Sequence, residues 1–189
     1  MEPVALYVCP RGPYPKILAE WYDETRDART FTGQAPVVAH PPCGPWGRLY
    51  HLCTKQDASA GPHAVRVVQA NGGVLEHPAD SKLWDACGLP RPGERTDRYG
   101  GFTVCVKQVS WGHPCEKKTW LYFVRVDRSV LWANMRRGGV ASHCVTRCRL
   151  TGKRERALKF ASKDQRTHTP EAFARFLVDV ANTARRRDP

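Results

Sequence analysis

The sequence predicts an α/β fold, with a mostly parallel sheet, flanking helices and a basic helix near the C-terminus. Short apolar runs that stop at proline or glycine alternate with segments of helical spacing, which is typical of strands joined by helices. The chain has 189 residues, of which 41% are apolar and 25% charged. This balance is that of a folded globular domain rather than of a disordered chain.

The first half of the chain contains two predicted buried strands. Residues 4–8 form an apolar run that enters a turn rich in proline, and residues 36–39 form the second run. Pro41 and Pro42 stop this second strand, because consecutive prolines cannot continue a central strand. Residues 17–22 between the strands fit a short helix or an extended segment equally well.

A helix and a third strand follow. The spacing of apolar residues predicts a helix over residues 62–70, which residues 71–73, Asn-Gly-Gly, bring to an end. Residues 74–78 form the third predicted strand, and residues 81–88 a short helix that begins at a serine cap. Residues 89–101 are a predicted loop, rich in proline, glycine and arginine.

The second half contains two more predicted strands, residues 102–106 and 119–124, whereas residues 134–152 show no clear period. The last helix is predicted to begin at Thr169 and Pro170, a cap followed by a proline at the first helical position. Its apolar stripe consists of Phe173, Phe176, Leu177, Val180 and Ala181.

The charge is distributed unevenly. The chain has 30 Lys and Arg against 18 Asp and Glu, a net charge of +12, and residues 107–189 alone hold nineteen basic and seven acidic side chains. A patch of this sign attracts a polyanion, so we predict DNA as a partner; a solvated basic face that only aids solubility is the alternative. We divide the chain into an α/β domain, residues 1–133, and a basic extension packed on it, residues 134–189.

The apolar runs are too short to cross a membrane, and the first residues lack the basic side chains of a signal peptide. We therefore expect a soluble cytoplasmic protein without a membrane partner. In that reducing compartment each of the eight cysteines is a core residue, a metal ligand or a reactive thiol. Zinc ligand types occur in two groups, Cys105, His113 and Cys115, and His143, Cys144 and Cys148, but their spacing is unlike that of a structural zinc site, and ordinary thiols are favoured.

Reactive side chains follow the predicted strands. Cys9 ends the first, His40 to Cys43 follow the second, and Glu76 and His77 close the third. Ligands bind at the carboxyl ends of parallel strands, so Cys43 and Glu76 are expected at one edge of the sheet. A thiolate there can add to carbon 6 of a pyrimidine and make carbon 5 nucleophilic, while a carboxylic acid hydrogen-bonds ring nitrogen 3 and offsets the developing charge. Nearby arginines such as Arg48 would lower the pKa of the thiol.

These residues resemble a known family. The apolar strand that runs into Pro41-Pro42-Cys43, followed by Trp46, is similar to the Pro-Cys loop of DNA cytosine carbon-5 methyltransferases, and residues 74–78 are similar to that family's Glu-Asn-Val strand end. Residues 118–121, after Gln108 and Gly112, resemble a later strand of phage-encoded members. The resemblance covers about residues 35–124, with a looser echo over residues 165–170.

The resemblance implies a Rossmann-like sheet and a DNA-modifying enzyme that acts at carbon 5 of a pyrimidine, most simply by cytosine methylation with an extruded base. Cys43 would be the nucleophile and Glu76 the base-binding acid. The implied cofactor is S-adenosylmethionine, held by Cys9, Gly12 and Asp27. The residues expected to bind substrate are His40, Pro42, Trp46, His77, Lys118, Arg154 and Arg156. Because the turn after the first strand lacks the family's glycine-rich sequence, a non-catalytic DNA-binding protein on the same scaffold is the alternative.

Overall fold

The computed structural model describes residues 1–47, 50–53, 57–144 and 158–185. One sheet organises the fold, with five strands in the order β1-β2-β3-β5-β4. The strands are β1 (Val4–Leu6), β2 (Val37–Ala39), β3 (Gly73–Pro78), β4 (Phe102–Lys107) and β5 (Lys118–Val124). β1, β2 and β3 are parallel, and β5 runs antiparallel to both of its neighbours. The predicted α/β class and the parallel first half of the sheet are confirmed.

Helices and short turns connect the strands. The helices are α1 (Ala60–Asn71), α2 (Leu83–Ala86), α3 (Arg128–Ala133), α4 (Lys163–Thr167) and α5 (Glu171–Ala181). Single 3-10 turns lie at Tyr14–Lys16, Ala28–Thr30, Gly44–Trp46, Tyr50–Leu52 and Gln108–Trp111. A second, two-stranded sheet pairs β6 (His143–Cys144) with β7 (Lys159–Phe160). Within the described ranges, no helix is long and apolar enough to cross a membrane.

The sheet lies between two helical layers because successive strand residues point to opposite faces. Val37 and Leu75 share one apolar cluster with Val68 of α1. Val38 and Val74, one position along, belong to the opposite cluster, which contains the whole predicted stripe of α5. The C-terminal helix, predicted as part of a basic extension, therefore covers one face of the sheet.

The structure decides between the two alternatives left open for residues 17–22. They contain no helix, and the backbone of Trp21 pairs with that of Ala5 on the outer side of β1. α5 has Pro170 at its N-cap, with no side-chain cap from Thr169, so the proline stands one position before the first helical turn. α3, of six residues, and α4, of five residues, were not predicted.

The connection between β2 and β3 depends on Gly73. Its φ is +111°, and a Cβ at this position would overlap the backbone of Val37 in the neighbouring strand. We expect Gly73→Ala to reduce the free energy of unfolding by about 3 kcal/mol or more, since both strain and overlap must be relieved. Gly88 also has a positive φ, +60°, but no atom within 4 Å of an added Cβ.

Gly88→Ala is therefore the matched control and should cost about 1 kcal/mol, the backbone penalty alone. Urea denaturation of the two variants and the wild type measures both values. Equal losses in the two variants would contradict the close approach of β2 to Gly73.

Candidate active site

A cavity of about 580 Å³ opens at the carboxyl ends of β1, β2 and β3. The turn after β1 contributes Cys9 and Gly12, the loop after β2 contributes His40, Pro42 and Cys43, and β3 contributes Glu76. The segment that includes α4 forms the opposite wall with Asp164, Arg166, Thr167, His168 and Thr169. The fold thus brings the two predicted catalytic side chains to one cavity, and with them the residues of the looser resemblance.

Cys43 lies where β2 has ended and a 3-10 turn begins, as the N-cap of Gly44–Trp46. The residue is exposed to solvent and forms no disulfide. The protein packed around the sulfur raises the pKa of the thiol, the charge of Glu76 raises it further, and Lys117 acts in the opposite direction. Cys43 is therefore accessible but mainly a thiol in this state, and it needs a base or a cationic substrate environment to ionise.

Glu76 is 8% exposed, and both of its carboxylate oxygens have partners. Nε2 of Gln108 donates a hydrogen bond to Oε1 over 2.9 Å, and Nδ1 of His40 lies 2.9 Å from Oε2. Burial would raise the pKa of Glu76, but the hydrogen bond from His40 and the charge of Lys117 outweigh it and lower the pKa to about 2. Glu76 is a carboxylate at neutral pH, with lone pairs left to accept further hydrogen bonds.

His40 connects Glu76 to a buried tyrosine. Its Nε2 lies 2.6 Å from the hydroxyl of Tyr14, while its Nδ1 faces Glu76. Tyr14 is 2% exposed, and burial, together with the charge of Glu76, raises its pKa well above the ordinary value. The tyrosine is therefore protonated, and a continuous hydrogen-bonded chain runs from Tyr14 through His40 to Glu76.

The cavity has a cationic rim formed by Arg11, Lys117 and Arg166. Lys117 has a φ of +38°, a backbone conformation that residues other than glycine rarely adopt. This conformation turns Lys117 toward the cavity, whereas Lys118, the next residue, is the exposed first residue of β5. A cationic rim around a carboxylate suits a ligand that combines a hydrogen-bonding ring with phosphate.

Four predicted site residues do not line the cavity. His77 points to the other face of the sheet and packs edge-on against Trp84, because neighbouring strand residues alternate. Trp46 packs toward α1, where a Cβ on Gly61 would meet its ring. Asp27 caps a 3-10 turn and pairs with Arg29, and Lys118 is exposed.

Arg48, Arg154 and Arg156 lie outside the described residues. Tyr14 and Lys117 also line the cavity, and neither was singled out from the sequence. Lys117 could not be separated from Lys118, since a shift of one residue reverses the side to which a side chain points. Tyr14 belongs to a turn whose conformation no periodic pattern indicates.

The residues present fit the implied S-adenosylmethionine poorly. Cys9 and Gly12 line the cavity, but Pro10 and Pro13 in the same turn have no backbone N–H to offer a ligand. Asp27, the expected ribose ligand, is held by Arg29 instead. A doubly wound sheet binds its nucleotide between two half-sheets, whereas here β1 is an outer strand of the sheet. We therefore derive no methyl-transfer step.

Within the described part of the chain, no group of three His, Cys, Asp or Glu side chains is arranged to hold a metal ion. Of the two groups considered for zinc, one includes Cys148, which lies outside that part. His113 instead bonds locally, with its Nδ1 2.9 Å from the backbone nitrogen of Cys115.

Comparison with known proteins identifies no family for this chain, because no protein-family model and no curated protein matches it. The function proposed below therefore depends on the geometry of the cavity and on the chemistry of its side chains.

Proposed function

We propose that this protein is a DNA-modifying enzyme that acts at carbon 5 of cytosine, with Cys43 as the nucleophile. The observation that carries the proposal is that Cys43 and Glu76 line the same cavity at the ends of adjacent parallel strands. The thiolate would add to ring carbon 6 while Glu76 holds the hydrogen-bonding edge of the base. A base inside a duplex cannot reach such a cavity, so the target would be extruded or single-stranded.

Glu76 favours cytosine over thymine when its carboxyl group holds a proton. One oxygen can then accept from the amino group N4 of cytosine while the protonated oxygen donates to N3, an acceptor in cytosine. Glu76 has its two partners, His40 and Gln108, on the protein side and still faces the cavity. Thymine presents the opposite pattern, the acceptor O4 and the donor N3–H, and would mismatch both oxygens.

We also propose that the sheet is a Rossmann-like one reduced to a single half, with β1 at its outer edge. The group transferred to carbon 5 and its donor, for which the resemblance implies S-adenosylmethionine, belong to the proposal only as expectations.

The function can be tested without a donor. Reversible addition of the thiolate to carbon 6 lets carbon 5 take up a solvent proton and release its own hydrogen when the thiolate leaves. Single-stranded DNA that carries tritium at carbon 5 of cytosine should therefore lose tritium to water in the presence of the protein. DNA that carries tritium in the methyl group of thymine should not lose tritium. Absence of release from cytosine under saturating protein would contradict the proposed activity.

DNA as the partner is supported by the basic C-terminal part of the chain and by the cationic rim of the cavity. We expect the affinity for a labelled oligonucleotide to fall at least about tenfold between about 50 and about 200 mM salt, because counterions are released on binding. Reversing Arg154 and Arg156 to glutamate should weaken binding and flatten the salt dependence.

Reversing Arg91 and Arg95, which lie in a part of the chain without a basic excess, is the matched control for fluorescence anisotropy. An affinity that does not depend on the salt concentration, or that falls equally in both double variants, would count against the basic segment as the DNA-binding surface.

A non-catalytic DNA-binding protein is the second candidate. One observation favours it: the pKa of the Cys43 thiol is raised, so the free protein holds few thiolates. Salt-dependent DNA binding without tritium release would support this candidate.

A further inference from the structure

We infer that His40, held in place by Tyr14, forms a proton relay that acts through Glu76, an inference that rests on the proposed function of the cavity. Addition of a thiolate to cytosine moves the π electron pair of the C5–C6 double bond into the C4–C5 bond. The π pair of the N3–C4 double bond then moves to N3, which must take a proton. The contact between His40 and Glu76 provides a route for that proton, and Tyr14 orients the ring of His40.

Glu76 is ionised in the free protein and so holds no proton ready for N3. The hydrogen bond from His40 and the charge of Lys117 lower its pKa to about 2 against the effect of burial. A second group must supply it, and His40 is in hydrogen-bond contact with the carboxylate.

The geometry assigns the proton positions on His40. Because an ionised carboxylate only accepts, Nδ1 of His40 carries the hydrogen that lies between it and Oε2 of Glu76. In the free protein, Nε2 therefore carries a hydrogen only when the ring is charged. Its partner, the hydroxyl of Tyr14, can either donate to a neutral ring or accept from a charged one, so the contact is kept in both states.

In the relay, the charged ring of His40 passes its Nδ1 proton to Oε2 of Glu76 as N3 of cytosine takes a proton from the same carboxyl group. The Nε2 proton then becomes the one remaining hydrogen of a neutral imidazole. When the thiolate leaves, N3 returns its proton to Glu76 and the pair is restored. No oxidant, reductant or further reactant is needed.

Other charged groups surround this pair. Cys43 and Lys117 line the same cavity, and His77 lies on the other face of the sheet from Glu76. Arg11, Asp164, Arg166 and His168 line the remaining walls. In the described structure, none of these groups forms a hydrogen bond with the side chain of Glu76 or His40. Direct proton transfer to Glu76 is therefore assigned to His40.

The relay is tested by the pH dependence of tritium release from cytosine. For the wild type we expect a bell-shaped profile, which rises as Cys43 ionises and falls as the His40–Glu76 pair loses its proton. His40→Gln keeps a hydrogen-bond donor toward Glu76, but its amide cannot give up a proton as an acid. It should lower the rate at least about a hundredfold and remove the descending limb.

Gln108→Asn is the matched control, because Gln108 donates a hydrogen bond to the other oxygen of Glu76 through an amide that cannot act as an acid. It should lower the rate but preserve the bell shape. A wild-type-like profile in His40→Gln, with a similar rate, would overturn the relay while the proposed function stands. No release from the wild type would overturn the function instead.

Nitrogen-15 NMR of histidine-labelled protein tests the relay independently of activity. The relay requires that Nδ1 of His40 carry a hydrogen in the free protein, because this is the hydrogen that it passes to Glu76. Tyr14→Phe should alter the Nε2 signal. A free protein in which Nδ1 of His40 carries no hydrogen would overturn the relay.

Discussion

Replacing Cys43 by serine is expected to abolish tritium release from carbon 5 of cytosine, with a loss of about a thousandfold or more. A serine hydroxyl ionises far less readily than a thiol and is a weak nucleophile without an adjacent base. DNA affinity should remain within about twofold, because the substitution changes no charge at neutral pH and Cys43 lies at the exposed start of a 3-10 turn.

Cys9→Ser is the matched control for this experiment. Cys9 is also an exposed thiol and lines the same cavity, but it follows β1 rather than β2. Its replacement should leave release within a few-fold of the wild type. If Cys43→Ser remained active, or if Cys9→Ser lost as much activity, Cys43 would not be the nucleophile.

Replacing Glu76 by glutamine should change how stability depends on pH. The pKa of Glu76 is lowered from 4.5 in the unfolded chain to about 2 in the fold. Its ionised form therefore stabilises the fold fully above about pH 5, and this contribution is lost as the pH falls toward 2. Between about pH 6 and about pH 3 the wild type should lose about 2 kcal/mol of unfolding free energy through this group alone.

Glu76→Gln should lack this component of the pH dependence, which urea denaturation at several pH values will show. Asp23, Asp27, Asp57 and Asp127 also have lowered pKa values, mainly through local hydrogen bonds, but they titrate alike in both proteins and cancel in the difference. Glu116→Gln, at an exposed carboxylate paired with Lys107, is the control and should follow the wild type. Parallel curves for the wild type and Glu76→Gln would contradict the ion pair of Glu76 with His40.

The sheet was readable from the sequence because its strands are buried on both sides and so appear as continuous apolar runs. Val4–Leu6 and Val37–Ala39 are each three fully buried residues followed by turn residues. The two unpredicted helices, α3 and α4, gave no such pattern, although their capping residues are present in the sequence. Asp127 accepts a hydrogen bond from the backbone of Ser129, and Ser162 and Gln165 form a capping box. The order of β4 and β5 in the sheet depends on tertiary pairing that no local pattern contains.

For the cavity, placing Cys43 and Glu76 together required only that two parallel strands end at one edge. His77 was wrongly grouped with Glu76, and strand alternation alone would have separated them. The partners of Glu76 could not be foreseen in the same way. Tyr14 and Gln108 reach the site from 3-10 turns distant in sequence, and their roles depend on three-dimensional contacts.

The position of α5 has a consequence for synthesis of the protein on the ribosome. All five strands of the main sheet leave the ribosome before residues 163–181, which form α4 and α5. Until then the sheet face that contains Val38, Val74 and Phe123 lacks the side chains of Phe173 and Leu177 that bury it. Asp164 to Thr169, the far wall of the cavity, emerge in the same interval. The nascent chain thus completes the apolar cluster on this face of the sheet and its cavity in one late step, and until then this face stays uncovered.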